Sequence, residues 1–132
     1  VLGAAGILVR LCKGAYKEPS AVAFQSINQV GDSYERCLNV LFAGAGYPMV
    51  ASHDPKLIAR AGELSSSWEK GTYEYQMLYG IRPQEQERLA ATGETVRVYV
   101  PYGDEWYGYF MRRLAERPAN VVFFLRALRS KA

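Results

Sequence analysis

The sequence predicts an α/β fold made of successive parallel β/α units. Three observations carry this prediction. Short apolar runs alternate with longer stretches whose apolar residues recur at helical spacing. Gly, Pro or Asn punctuates the boundaries between them. Strands that alternate with helices in this way form parallel sheets through right-handed crossovers. Such a sheet needs cover on both faces. Four units cannot close a barrel, which takes ~250 residues. A chain of 132 residues is therefore either a small open sheet or one half of a barrel.

The elements follow in order. Residues 7–12 (Ile-Leu-Val-Arg-Leu-Cys) form the first strand candidate, and Lys13-Gly14-Ala15-Tyr16 a loop. A mostly polar stretch containing Pro19 and Gly31 leads to Ser33. Tyr34, Cys37, Leu38 and Leu41 then recur at helical spacing until Gly44 and Gly46 stop them. Residues 48–52 are the second strand. Asp54-Pro55 opens a helix with an N-cap and a proline at the first helical position, running through Leu57, Ile58, Ala61 and Leu64. Residues 73–77 are the third strand, and Arg82-Pro83 starts a helix that ends near Thr92-Gly93. Residues 96–100 are the fourth strand. After Pro101-Tyr102-Gly103-Asp104, a fourth helix covers residues 106–117 until Pro118-Ala119-Asn120 stops it, and residues 121–128 form a last apolar, helical segment.

Composition excludes several classes. Hydrophobic residues make up 49% and charged residues 22%, values of a globular chain rather than a disordered or collagenous one. No uncharged run reaches the ~20 apolar residues of a membrane span. The net charge of +3 permits an anionic ligand, but Lys and Arg are dispersed, which argues against nucleic acid. Cys12 and Cys37 are too few for a disulfide scaffold and are expected to be reduced, as in an intracellular protein. The ten tyrosines suit places where a ring is buried while its hydroxyl keeps a partner. The chain starts without Met and in mid-pattern, so it is expected to belong to a longer reading frame.

In parallel β/α folds ligands sit at the carboxyl ends of the strands. The candidates there are Arg10, Lys13, Gly14 and Tyr16 after the first strand, Ser52, His53 and Asp54 after the second, Gln76 on the third and Tyr99 on the fourth. A charge in mid-strand, as at Arg10, needs a partner or a polar cavity. Lys13 before Gly14 is an ordinary loop lysine or a phosphate neighbour, since a glycine lets backbone N–H groups come close. His53, the sole histidine, is as readily structural as functional and has no nearby His or Cys to share a metal. Asp54 reads as the helix cap. Strand alternation puts Glu74 and Gln76 on one face and Arg97 and Tyr99 on one face of the next strand. Glu74–Arg97 is thus a candidate internal ion pair, with Gln76 and Tyr99 one layer higher. Tyr109, Arg112, Arg113 and Glu116 share a helix face. That face is either a solvated salt-bridging stripe or a carboxylate or phosphate clamp. No nucleophile triad, P-loop, metal cluster or carboxylate pair is evident. The residues alone support an α/β unit whose strand ends take an anionic ligand.

Four ordered motifs add a resemblance. Val9-Arg10-Leu11-Cys12-Lys13-Gly14-Ala15-Tyr16 resembles the V-R-L-V-K-G-A-Y strand-five motif of proline dehydrogenases. Tyr75-Gln76-Met77-Leu78-Tyr79-Gly80 resembles their F-Q-M-L-Y-G at strand seven. Residues 97–103 resemble R-V-Y-V-P-Y-G at strand eight, and residues 109–116 the Y-x-x-R-R-x-x-E of helix eight. The resemblance implies a partial (β/α)8 TIM barrel, about strands five to eight with their helices. It also implies noncovalent FAD at the strand ends, oxidation of L-proline to Δ1-pyrroline-5-carboxylate, and electron transfer to a quinone. The place it implies is the cytoplasm, with peripheral contact at the inner face of a membrane, or the mitochondrion in a eukaryote.

By the same resemblance Arg10 lies next to the flavin N5 and is the catalytic candidate. Lys13, Gly14 and Ala15 line the ribityl and pyrophosphate, and Ser52 and His53 are further FAD contacts. Gln76 and Leu78 sit beside flavin and proline. Tyr16 and Tyr99 belong to the substrate pocket, with Tyr99 against the proline ring. Arg112 and Arg113 bind the proline carboxylate, and Glu116 is an acid at the pocket edge, grouped with the cofactor set. Cys12 stands where the family has Val. No counterpart of the first four strands is seen. The chain taken alone is therefore expected to be inactive, to bind FAD weakly or not at all, and to hide its open sheet edges by dimerising or aggregating. A different flavin- or phosphate-binding barrel and a non-catalytic binding module are the rival readings.

Overall fold

The structure is a computed structural model that describes residues 6–14, 18–104 and 108. It divides into two units, Val1–Lys13 with Ala23–Val100, and Gly14–Val22 with Pro101–Ala132. In the first unit the order is β1 (Leu8–Cys12), α1 (Ile27–Phe42), β2 (Tyr47–Ala51), α2 (Pro55–Leu64), β3 (Glu74–Leu78), α3 (Pro83–Ala91) and β4 (Val96–Tyr99). The strands form one sheet in the order β1-β2-β3-β4, and every neighbouring pair is parallel. This agrees with the α/β reading and with part of a β/α barrel.

The strand pattern sorts residues by parity. Val9, Leu11, Pro48, Val50, Tyr75, Met77, Val96 and Val98 point to the helix-covered side, where all are buried or half-buried. There they meet Tyr34, Leu38 and Phe42 from α1, Leu57, Ile58 and Ala61 from α2, and Leu89 from α3. Each aliphatic side chain fully buried in such a core stabilises by roughly 2 kcal/mol relative to exposure. Phe42, Trp68, Tyr73 and Tyr75 extend the core toward the amino ends of the strands through edge-to-face ring contacts with centroids 5.2–6.4 Å apart. The opposite face carries Arg10, Cys12, Met49, Glu74, Gln76, Leu78, Arg97 and Tyr99.

Boundaries differ from the sequence reading in one large way. Helix α1 starts at Ile27, not after Ser33; its first turns are exposed or half-buried, and Tyr34, Leu38 and Phe42 carry the core stripe farther along. Gly31 is absorbed in the helix instead of breaking it. The strand ends shift by a single residue, and α2 begins at Pro55 behind the Asp54 cap as expected. Gly46 is required by contact. A Cβ there would lie 2.7 Å from the Ile7 carbonyl oxygen, which accepts the Tyr47 N–H at 3.1 Å.

In the second unit the described residues show a turn in which the Val22 N–H donates to the Pro19 carbonyl at 3.0 Å. The fourth helix expected over residues 106–117 and the segment 121–128 lie outside the described residues, Gly108 excepted.

Candidate functional site

Strand register places the candidate residues in rows across the polar sheet face. Arg10, Met49 and Glu74 form one row. Cys12, Ala51, Gln76 and Arg97 form the next toward the carboxyl ends, and Leu78 pairs with Tyr99 above it. Arg10 and Tyr99 are exposed on this face, while Gln76 and Leu78 are half-buried. Arg10, Gln76, Leu78 and Tyr99 thus share one surface, which the alternation predicts for Gln76 and Tyr99. Gly14 belongs to the second unit. Ala15, Tyr16, Arg112, Arg113 and Glu116 lie outside the described residues.

Glu74 is the hub of the face. It is fully buried at 0% exposure, and a buried carboxylate is costly unless hydrogen-bonded and paired. Arg97 meets it in bidentate fashion, Nε to Oε1 at 2.7 Å and Nη2 to Oε2 at 2.8 Å. The Tyr47 hydroxyl donates to Oε2 at 3.3 Å and the Gln76 amide to Oε1 at 2.6 Å. The Arg97 guanidinium holds the carboxyl below the ordinary range; burial opposes it, and Gln76 assists. The expected ion pair is present, but diagonally. The direct register partner of Arg97 is Gln76, and its side chain reaches one row down.

His53 joins two strand ends. Even-numbered N–H groups of β3 face β2, which ends at Ala51. The Leu78 N–H has therefore outrun its ladder, and His53 Nε2 accepts it at 2.9 Å. An accepting Nε2 leaves the ring proton on Nδ1. The His53 carbonyl accepts from Arg82 Nη1 at 2.8 Å. Burial first, and then the Arg82 guanidinium, push the imidazole below its ordinary pKa. Arg82 adopts the left-handed conformation at φ 53°, uncommon for a residue with a Cβ. Gln86 donates to the Leu78 and Ile81 carbonyls at 3.0 and 2.8 Å, so the loop after β3 is tied at several points.

Lys13 and Asp54 close the gap between the ends of β1 and β2. Lys13 Nζ meets Asp54 Oδ2 at 3.1 Å, while Asp54 Oδ1 caps α2 by accepting the Lys56 N–H at 3.0 Å. Burial works against the charged carboxylate, yet the hydrogen bonds from Lys13 and Lys56 keep it below the ordinary range. Ser52 Oγ accepts the Asp54 N–H at 3.1 Å, which shapes the same turn.

A family model described as proline dehydrogenase matches residues 4–126. The chain belongs to the proline dehydrogenase family. Among similar proteins, proline dehydrogenase 1 of Bacillus subtilis (strain 168) is 44% identical over 93% of this chain and 41% of its own length. The proline dehydrogenase of Deinococcus radiodurans is 42% identical over 91% of this chain and 39% of its own. The chain thus spans about two fifths of the length of these curated relatives. A crystal structure of proline utilization A from Bdellovibrio bacteriovorus, inactivated by N-propargylglycine, is similar with a TM-score of 0.72 and 26% identity. That likeness covers 81% of this chain and 13% of the other.

Two features of the site escaped the sequence reading. Lys13 and Asp54 are 41 residues apart, and each had a sufficient local reading of its own. Their common signal is position, each at the first turn after a neighbouring strand. The strained Arg82 carries no sequence signal beyond its place before Pro83, where the right-handed helical region is disfavoured. Among the described residues no three His, Cys, Asp or Glu side chains gather as metal ligands would.

Proposed function

We propose that the protein carrying this chain oxidises L-proline to Δ1-pyrroline-5-carboxylate with a noncovalent FAD and passes the electrons to a quinone. The observation that carries this reading is the family match, taken together with the sheet face on which Arg10, Gln76, Leu78 and Tyr99 stand. The donor set fits a flavin. Arg10 within β1 and Lys13 just after it supply positive charge, Gln76 offers an amide to a polar ring edge, and Leu78 and Tyr99 offer an apolar wall. When bound, FAD supplies the hydride acceptor.

This chain's residues would bind, orient and shield. Arg10 would favour negative charge on a flavin bound over this face, by preorganised electrostatics. Lys13, paired with Asp54, would hold the phosphate end of the cofactor. The His53 ring keeps its proton on Nδ1 because the Leu78 N–H occupies Nε2, so toward a ligand it acts as a neutral donor. Leu78 and Tyr99 exclude water from a five-membered apolar ring. Arg112 and Arg113 hold the carboxylate of the zwitterion in bidentate fashion.

The test is substitution of Arg112 or Arg113 by Met in the full-length protein. KM for L-proline is expected to rise roughly 30- to 1000-fold, with FAD content unchanged, as for the loss of a buried charge-assisted contact. An unchanged KM returns both arginines to a solvated helix stripe.

A further inference from the structure

A side-chain amide is ambiguous until something chooses its orientation, because its oxygen accepts and its nitrogen donates. At Gln76 the choice is forced. The carboxylate of Glu74 lies 2.6 Å from the amide, and an ionised carboxylate only accepts. Glu74 has no rotational freedom of its own, since Arg97 grips both of its oxygens and Tyr47 touches one. The amide must therefore turn its NH2 down the strand to Glu74 and its oxygen away from it. Glu74 lies two residues toward the amino end of β3, so the oxygen is left for the carboxyl end, where ligands of parallel β/α folds bind.

We propose that Glu74 is a positioning residue that, with Arg97, fixes the Gln76 amide so that position 76 presents an acceptor oxygen to an N–H of the bound ring. This rests on the flavin reading above. It fits the chemistry of an oxidised isoalloxazine, whose polar rim offers several acceptors and a single N–H. A freely turning glutamine would also offer its NH2 to the acceptors, so the locked amide selects which part of the rim lies over β3. The buried ion pair then has a use beyond the fold: its geometry is transmitted through one hydrogen bond to the ligand-facing atom.

The test compares four full-length proteins: the parent, Glu74→Gln, Gln76→Met and the exchange Glu74→Gln/Gln76→Glu. Each apoprotein is titrated with FAD, read by flavin fluorescence and the shape of the visible bands, with folding checked by circular dichroism. Gln76→Met and Glu74→Gln are each expected to weaken FAD about tenfold, the loss of one hydrogen bond to the ligand. The exchange is expected to recover part of that loss, because a carboxylate at position 76 accepts whichever way it turns. A merely structural Glu74 predicts no such rescue. Glu74→Gln binding FAD as the parent does, or a folded exchange no tighter than Glu74→Gln, overturns the proposal. If Glu74→Gln fails to fold, the exchange is judged against Gln76→Met. Tighter binding by the exchange then supports the proposal; equal binding, or an exchange that is also unfolded, overturns it. A parent that takes up no FAD marks instead the failure of the flavin reading, and the role of Glu74 falls with it.

Discussion

Removing the His53 imidazole should cost more than the loss of an exposed ring. In His53→Ala the Leu78 N–H loses its acceptor at 2.9 Å, in a half-buried place beyond the end of β2. An orphaned donor there costs ~1–3 kcal/mol. His53→Gln keeps an acceptor at similar reach and should lose less than about 1 kcal/mol. With a urea m-value of ~2 kcal/mol/M, the alanine variant unfolds at a midpoint lower by about 0.5–1.5 M. The two variants also differ from the parent in pH dependence. Burial and Arg82 hold the folded imidazole below its ordinary 6.5. Well above that value both the folded and the unfolded ring are neutral, and the group adds no pH dependence. As pH falls through 6.5 the unfolded chain takes up the proton first, so the folded state loses stability. Protonation would also set an Nε2–H against the Leu78 N–H. The parent should therefore lose more stability than His53→Gln between about pH 7 and pH 5. An unshifted midpoint for His53→Ala, or parallel pH curves for the parent and His53→Gln, would refute the reasoning.

Three smaller perturbations follow. Gly46→Ala drives a methyl to 2.7 Å from the Ile7 carbonyl oxygen and should cost ~1–3 kcal/mol in thermal unfolding, as overpacking does; an unchanged melting temperature would mean that the β1–β2 entrance is loose. Arg82→Gly and Arg82→Ala both lose the bond to the His53 carbonyl, but only glycine accepts φ 53° freely. The glycine variant should be the more stable by about 1 kcal/mol, and equal stabilities would show that the backbone there carries no strain. Tyr34→Phe removes a hydroxyl that donates to the Leu11 carbonyl at 2.9 Å, with the Ala51 carbonyl at 3.4 Å; it should cost ~1 kcal/mol in denaturant unfolding, and no loss would mean that water replaces it.

What could be read from the sequence was what repeats or alternates. The parity of β3 and β4 places Glu74 with Arg97 and puts Gln76 and Tyr99 on the same face. The Asp54-Pro55 start of α2 rested on local capping chemistry and fell where expected. The start of α1 did not, because Gly31 and its polar neighbours look like a loop when only the last apolar stripe is counted. None of the residues from Ile27 to Ser33 is buried; these turns propagate from the part that Tyr34, Leu38 and Phe42 pack, since adding a residue to a nucleated helix costs little. The residues around His53 do not decide between structure and function. What decides its structural part is the strand length of β2, a property of the sheet and not of residues near position 53. The pairing of Lys13 with Asp54 was hidden for the same reason.

The alternation along β3 also bears on how such a sequence can change over evolutionary time. Tyr75 and Met77 answer to the helices, while Glu74, Gln76 and Leu78 answer to whatever the opposite face meets. Substitutions at Gln76 and Leu78 can therefore drift toward new ligands with little effect on the foldability that Tyr75, Met77 and the buried Glu74, paired with Arg97, secure. A single-residue insertion within the strand is a different event. It exchanges the two sets at one stroke, placing Gln76 under the helices and Met77 on the polar face, so that core and specificity are lost together. Point mutation can alter the polar face residue by residue, whereas insertions are expected to be tolerated only in the loops between strands and helices.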